Sequence, residues 1–289
     1  MDEFLHQILS GIASGGIYAS VALALVMIFQ ATHHVNFAQG EMAMFSTFIA
    51  LALIEAGVPY WGAFAITVLL SLILGAAIQR VLLAPMAGSP VLASVGVFIG
   101  LLLIFNSIAG WLFGYTLKPF PTPFEGPPVL GGFVTRHDLG STAVTLAVLA
   151  GVYGFFRFTD LGLAMRAAAY NPMSSRLMGI RVDRMLALGW GLAAAIGAVA
   201  GMMVAPVVFL DPNMMSGVLL YAFAGALLGG ISNPLGAVFG GFAIGVIENL
   251  AGAYLVGPEL KLTLALVIIV AVLTVRPAGL FGRTVVSRV

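Results

Sequence analysis

The 289-residue sequence predicts an all-α fold, a polytopic transmembrane helical bundle of about eight or nine spans, and three observations carry that expectation. Hydrophobic residues make up 61% of the chain and charged ones only 8%, against about 25% charged in an ordinary soluble domain, so a water-facing surface cannot be assembled. Mean hydropathy is +1.11, which makes lipid the solvent. The apolar residues also fall in long runs without alternation, unlike the ~10-residue strands of a membrane barrel, and in lipid each run must satisfy its own backbone as a helix.

The runs lie near 5–29, 41–56, 61–83, 91–113, 139–157, 185–209, 217–231, 236–256 and 260–275, separated by Pro, Gly and charge. The first follows an acidic start, Asp2-Glu3, and no Lys or Arg precedes Arg80, so it is expected to be kept as a span and not cleaved as a leader. The second, seventh and ninth are short for a bilayer of ~30 Å, and broken or re-entrant segments would bring the count to eight. The third carries Arg80 near its end, and the fourth contains Asn106, expected to serve as interhelical glue. The fifth separates a loop at 114–138, rich in proline, from an arginine-rich segment at 158–184. The sixth and eighth carry small residues at helical spacing, Ala194, Ala198 and Gly201, then Gly236, Gly240, Gly241 and Gly245, which read as close helix contacts.

Charge placement orients these spans. Arg157, Arg166, Arg176, Arg181 and Arg184 cluster around the 158–184 segment, and Arg276, Arg283 and Arg288 follow the last run. The positive-inside rule puts both, with Arg80, in the cytoplasm. Nine spans then leave the N-terminus outside, the C-terminus inside and the 114–138 loop external, with Lys118 and Arg136 as two exceptions. The whole of 1–289 is expected to be one membrane domain, with no room for a separate soluble one.

Two polar interruptions stand out. The first, Gln30 to Glu41, includes His33, His34, Asn36, Gln39 and Gly40, and reads either as a broken helix whose unwound backbone lines a cavity or as an interfacial turn. The second, Gly229-Gly230-Ile231-Ser232-Asn233-Pro234-Leu235-Gly236, is turn punctuation. Each leads into a run bearing a glutamate, Glu41 or Glu248, which reads as an internal repeat or as accidental similarity. Glu248 lies about 18 Å into its run, near mid-membrane, where an acidic residue costs roughly 3 kcal/mol. It is expected to line a wet pathway, with Asn249 beside it, or to be a protonated carboxyl bonded to a neighbouring helix.

Several chemistries are excluded. The chain has no cysteine, no phosphate-binding loop and no HExxH around its histidines, so no catalytic group and no metal site is expected. A net charge of +1 argues against nucleic acid as a partner.

The most informative stretch is Asp160 to Arg184. Asn171 before Pro172 reads as the N-cap and first residue of a short helix closed by Gly179, with Met173, Leu177 and Ile180 as an apolar face for a partner's groove. Here, and in Val35-Asn36-Phe37-Ala38-Gln39-Gly40-Glu41 and Gly229 to Ala237, the sequence resembles the permeases of branched-chain amino acid ABC importers, of the LivH type. Length, hydropathy and order agree along the whole chain.

The resemblance implies a subunit that forms half of an import pathway for branched-chain or other hydrophobic amino acids in a bacterial or archaeal cytoplasmic membrane. Its partners would be a second related permease, identical or different, two cytoplasmic ATP-binding subunits and an extracytoplasmic solute-binding protein. ATP would be bound by those subunits, and no cofactor is expected in this chain. Arg166, Asn171, Pro172, Met173, Ser174, Leu177, Met178, Gly179 and Ile180 would form the ATPase-coupling segment. Asn36, Gln39, Gly40, Glu41, Ser232, Asn233, Gly236 and Glu248 would belong to the translocation pathway. Gln39 stands where many family members carry His, so a mechanism needing a titrating group there does not carry over. The competing expectation is a stand-alone secondary transporter or channel for a small solute such as urea, an amide or an amino acid, with Glu41 and Glu248 carrying protons or sodium.

Overall fold

The computed structural model describes residues 2–32, 35–86, 89–129 and 134–282, with eleven α-helices and no strand among them. His33, His34, Arg283 and Arg288 lie outside the described residues. The helices are α1 (Asp2–Thr32), α2 (Gln39–Glu55), α3 (Tyr60–Ile78), α4 (Val91–Phe113), α5 (Arg136–Phe158), α6 (Asp160–Tyr170), α7 (Pro172–Leu177), α8 (Val182–Val208), α9 (Met215–Gly229), α10 (Pro234–Tyr254) and α11 (Lys261–Val275). α3 runs on through a π turn, Gln79–Leu83, and a 3-10 turn, Ala84–Met86.

Seven helices among the described residues are long and apolar enough to cross a membrane. α9, with 15 residues, and α2, with 17, fall short of the ~20 that a bilayer needs. These are two of the three runs expected to be short. The third, before the C-terminus, reaches 18 residues because a 3-10 turn, Pro258–Leu260, extends α11.

The chain divides into two compact units, each assembled from distant segments. One comprises residues 27–123 and 144–216. Its centre is α8, which packs on α2, α3 and α6, while α4 lies on α2. Small residues permit this: Gly191 sits against the Leu72 carbonyl of α3, and Gly75 of α3 against Trp190 and Ala194. Trp190, fully buried, stacks on Phe98 of α4 with ring centres 5.8 Å apart. Helices such as α4 instead leave large apolar side chains exposed, among them Leu103, Ile104 and Trp111.

The other unit comprises residues 1–26, 124–143 and 217–289. Here α1, α9 and α10 meet through glycine. Gly241 and Gly245 of α10 lie against Ala19 and Gly15 of α1, and Gly240 lies against Gly225 of α9. A methyl group at any of the three would overlap the facing backbone, so the small-residue spacing read from the sequence is a helix contact.

Candidate functional site

In the unit centred on α8, the first interruption is a buried break. The Asn36 side-chain oxygen accepts from the Ala38 amide at 3.0 Å, closing a turn that starts α2 at Gln39. Gln39 then donates through Nε2 to the Ala193 carbonyl at 2.9 Å, filling space left open by Gly197. Asn36 and Gln39 are fully buried, and Gly40 is buried with them. Ala193 falls near the middle of α8, so α2 begins beside the centre of a long span and not at its end.

Glu41, one turn into α2, is 6% exposed. Asn106 of α4 reaches its Oε2 at 3.5 Å, and the same amide donates to the Pro212 carbonyl at 2.9 Å and to Asn213 Oδ1 at 3.1 Å. Asn106 is therefore more than glue between spans: it ties the 209–214 connection to α4 beside a buried carboxylate. Among the described residues no Lys or Arg forms an ion pair with Glu41. The chemistry on offer is one carboxylate and several amides, suited to transient hydrogen bonds with a small polar solute.

Glu248 sits in the other unit and has a different environment. Its Oε2 accepts from the Tyr18 hydroxyl at 2.8 Å, and its Oε1 lies 3.5 Å from Lys261 Nζ. Lys261 also donates to Asn249 Oδ1 at 3.0 Å, and Tyr18 stacks on Tyr221. Glu248 is thus bonded to a neighbouring helix through Tyr18, and the Lys261 ammonium stands beside it as a counter-charge.

The second interruption is a capped turn. Asn233 caps α10, accepting from the Gly236 amide at 3.2 Å, and its Nδ2 donates to the Phe281 carbonyl at 3.2 Å. Gly236 lies against Gly229, and Ser232 is exposed. Twelve residues of helix, about 18 Å, separate Gly236 from Glu248, so these two predicted pathway residues do not form one site.

The segment after α5 folds as the sequence indicates. Thr159 caps α6 through the Gly162 amide at 3.0 Å, and Asn171 caps α7 through the Ser174 amide at 3.0 Å, with Pro172 in the first turn. Gly179 has φ +84°, and the Gly179 and Ile180 amides donate to the Arg176 and Ser175 carbonyls, closing the C-terminus as a Schellman turn. Met173, Leu177 and Met178 are 70%, 82% and 82% exposed. Ile180 is half-buried, so Met178 takes its expected place on the apolar face. Ser174 and Arg166 are exposed, and the Arg176–Asp183 pair at 3.4 Å is too exposed to add much stability.

Residues 7–273 match the family described as the branched-chain amino acid transport system permease component. The chain belongs to this family. It is 29% identical over 304 aligned positions to the high-affinity branched-chain amino acid transport system permease protein LivH of Escherichia coli (strain K12), covering 99% of this chain and 98% of that protein. The corresponding permease protein BraD of Pseudomonas aeruginosa is 30% identical over 303 positions, with the same coverage. A probable branched-chain amino acid transport permease protein LivH of Methanocaldococcus jannaschii is 28% identical over 280 positions, covering 91% and 87%.

This permease is thus a multi-pass membrane protein, and its relatives are named as transport proteins and not as enzymes. No group of three His, Asp or Glu side chains comes together among its described residues. Sequence reading missed Tyr18, Lys261 and Asn213 as partners. For Lys261 a signal existed, since it is the one cation between Arg184 and Arg276 and opens an apolar run. For Tyr18 there was none.

Proposed function

We propose that the permease is the membrane-spanning subunit of an ATP-driven importer for branched-chain or other hydrophobic amino acids, forming half of the translocation pathway. A second related permease supplies the other half, two ATP-binding subunits dock on α7 from the cytoplasm, and an extracytoplasmic binding protein delivers the solute. The N-terminus is outside and the C-terminus inside. The observation that carries this reading is α7 itself: a helix of six residues, capped at both ends, that holds Met173, Leu177 and Met178 out in solvent. A rigid, apolar, exposed lever has a use when another protein grips it, and an ATP-driven change of that grip can be passed through α6 and α8 to the spans.

The pathway function falls to the α2 break. Buried amides at Asn36, Gln39 and Asn106 and the Glu41 carboxylate offer enough polarity for passage without a strong trap, and selection is left to the binding protein. The gradient-driven alternative draws on Glu41, which has no cationic partner among the described residues, while Glu248 is already occupied by Lys261.

The test uses the absence of cysteine: Ser174→Cys, cross-linked in native membranes and analysed by mass spectrometry. A conjugate with an ATPase bearing a phosphate-binding loop is the expected result. Free labelling of Cys at 174 by water-soluble reagents, with no protein captured at any cross-linker length, would favour the gradient-driven transporter.

A further inference from the structure

A basic cleft of about 850 Å³ opens where α3 ends and α8 begins. Four arginines, Arg80, Arg176, Arg181 and Arg184, line it against a single carboxylate, Asp183. The N-terminus of α8 adds to the positive field, because its capping position, Arg181, provides no side-chain bond to the first amides. Deep in the cleft, Gln79 is 4% exposed and its Oε1 has no hydrogen-bond partner among the described residues. Gln79 also starts the π turn of α3, an irregularity often found at functional sites. A buried carbonyl oxygen without a partner is costly and calls for a donor from outside the chain.

The level of the cleft identifies the ligand. Tyr60–Met86 comprises 27 residues, about 40 Å at 1.5 Å per residue, some 10 Å more than the hydrocarbon core. Its last turns therefore reach the headgroup layer. Just beyond Arg80, Val81 and Leu82 are 68% and 41% exposed, an apolar rim for acyl chains. We infer that the cleft binds the headgroup of an anionic glycerophospholipid of the phosphatidylglycerol class, its phosphodiester held by Arg80, Arg181, Arg184 and the α8 N-terminus and its hydroxyl donated to Gln79 Oε1. This goes beyond the transport reading and does not depend on the solute.

The full-length permease, in detergent containing phosphatidylglycerol or phosphatidylcholine, is examined by native mass spectrometry for retained lipid. Phosphatidylglycerol is expected to be retained preferentially, with retention falling about fivefold for each of Arg80→Gln, Arg181→Gln and Arg184→Gln. Arg276→Gln, outside the cleft, is expected to change nothing. Gln79→Leu should cut the preference for phosphatidylglycerol over phosphatidylmethanol, which lacks the hydroxyl, about threefold while leaving charge selectivity intact. Should a cleft variant fail to fold, a photoreactive phosphatidylglycerol on the unaltered chain gives the same decision by labelling 76–84 and 176–188, or by labelling elsewhere.

Equal retention of the two lipids would overturn the proposal. So would displacement of the lipid by millimolar inorganic phosphate, which marks a free-anion site, or arginine variants that lose a co-purifying protein while keeping their lipid, which marks a protein-docking surface.

Discussion

Lys261 makes Glu248 half of an ion pair, and the two have to be changed together to expose what pairing contributes. Removing one partner of a fully buried pair costs about 3–5 kcal/mol, but Lys261 is a quarter exposed, so Glu248→Gln is expected to lower stability by about 1–3 kcal/mol. The double variant Glu248→Gln with Lys261→Met should recover at least half of that loss in a double-mutant cycle on detergent unfolding. Uptake per folded molecule is expected to stay mostly intact in Glu248→Gln, the outcome that a structural pair predicts. A complete loss at normal expression would move Glu248 into the pathway. At the α2 break, Gly197→Ala places a methyl group 2.6 Å from Gln39 Nε2, where it displaces Gln39 from the Ala193 carbonyl and costs about 1–3 kcal/mol. Gly189→Ala, on the same helix, meets only the end of Met165 at 3.5 Å and should stabilise by about 0.5–1 kcal/mol. Thermal unfolding of the two variants separates these signs.

At the scale of an element, α7 depends on its two ends. Asn171→Ala removes the cap and should cost about 1 kcal/mol locally, seen as faster hydrogen exchange across 172–177 with the spans unchanged. Gly179→Pro is harsher, because proline holds φ near −65° and cannot take the +84° of this turn. Uptake should be lost while the protein stays in the membrane, and normal uptake in that variant would count heavily against coupling through α7. Neither result is expected from a change at Asn233, whose amide serves the α10 cap and the Phe281 carbonyl.

For the whole molecule, the proposed ATP coupling needs partner subunits, since the 289 residues carry no nucleotide-binding motif. Purified alone into liposomes, the permease is expected to move no amino acid under a proton or sodium gradient, and to do so only when the second permease, the ATP-binding subunits and the binding protein are added. Uptake by the isolated chain would reverse that reading and point to Glu41 as the ion carrier.

The number and approximate limits of the apolar helices were legible in the sequence because lipid imposes one rule on every segment: satisfy the backbone internally over about 30 Å. The α7 helix was legible too, since a cap, a proline and a glycine at fixed offsets act within one turn. Family membership is written in the same local stretches. Partnerships across the chain had no such signal. Gln39 meets Ala193 154 residues away, and Tyr18 meets Glu248 230 residues away, because helix packing, not sequence spacing, decides which side chains share a buried space. Only the tertiary structure gave Glu248 its lysine, set Asn106 beside Glu41, and left the Gln79 carbonyl unsatisfied among arginines. In a low-dielectric interior a polar group's role follows from the partner it reaches, and that partner is fixed by the fold.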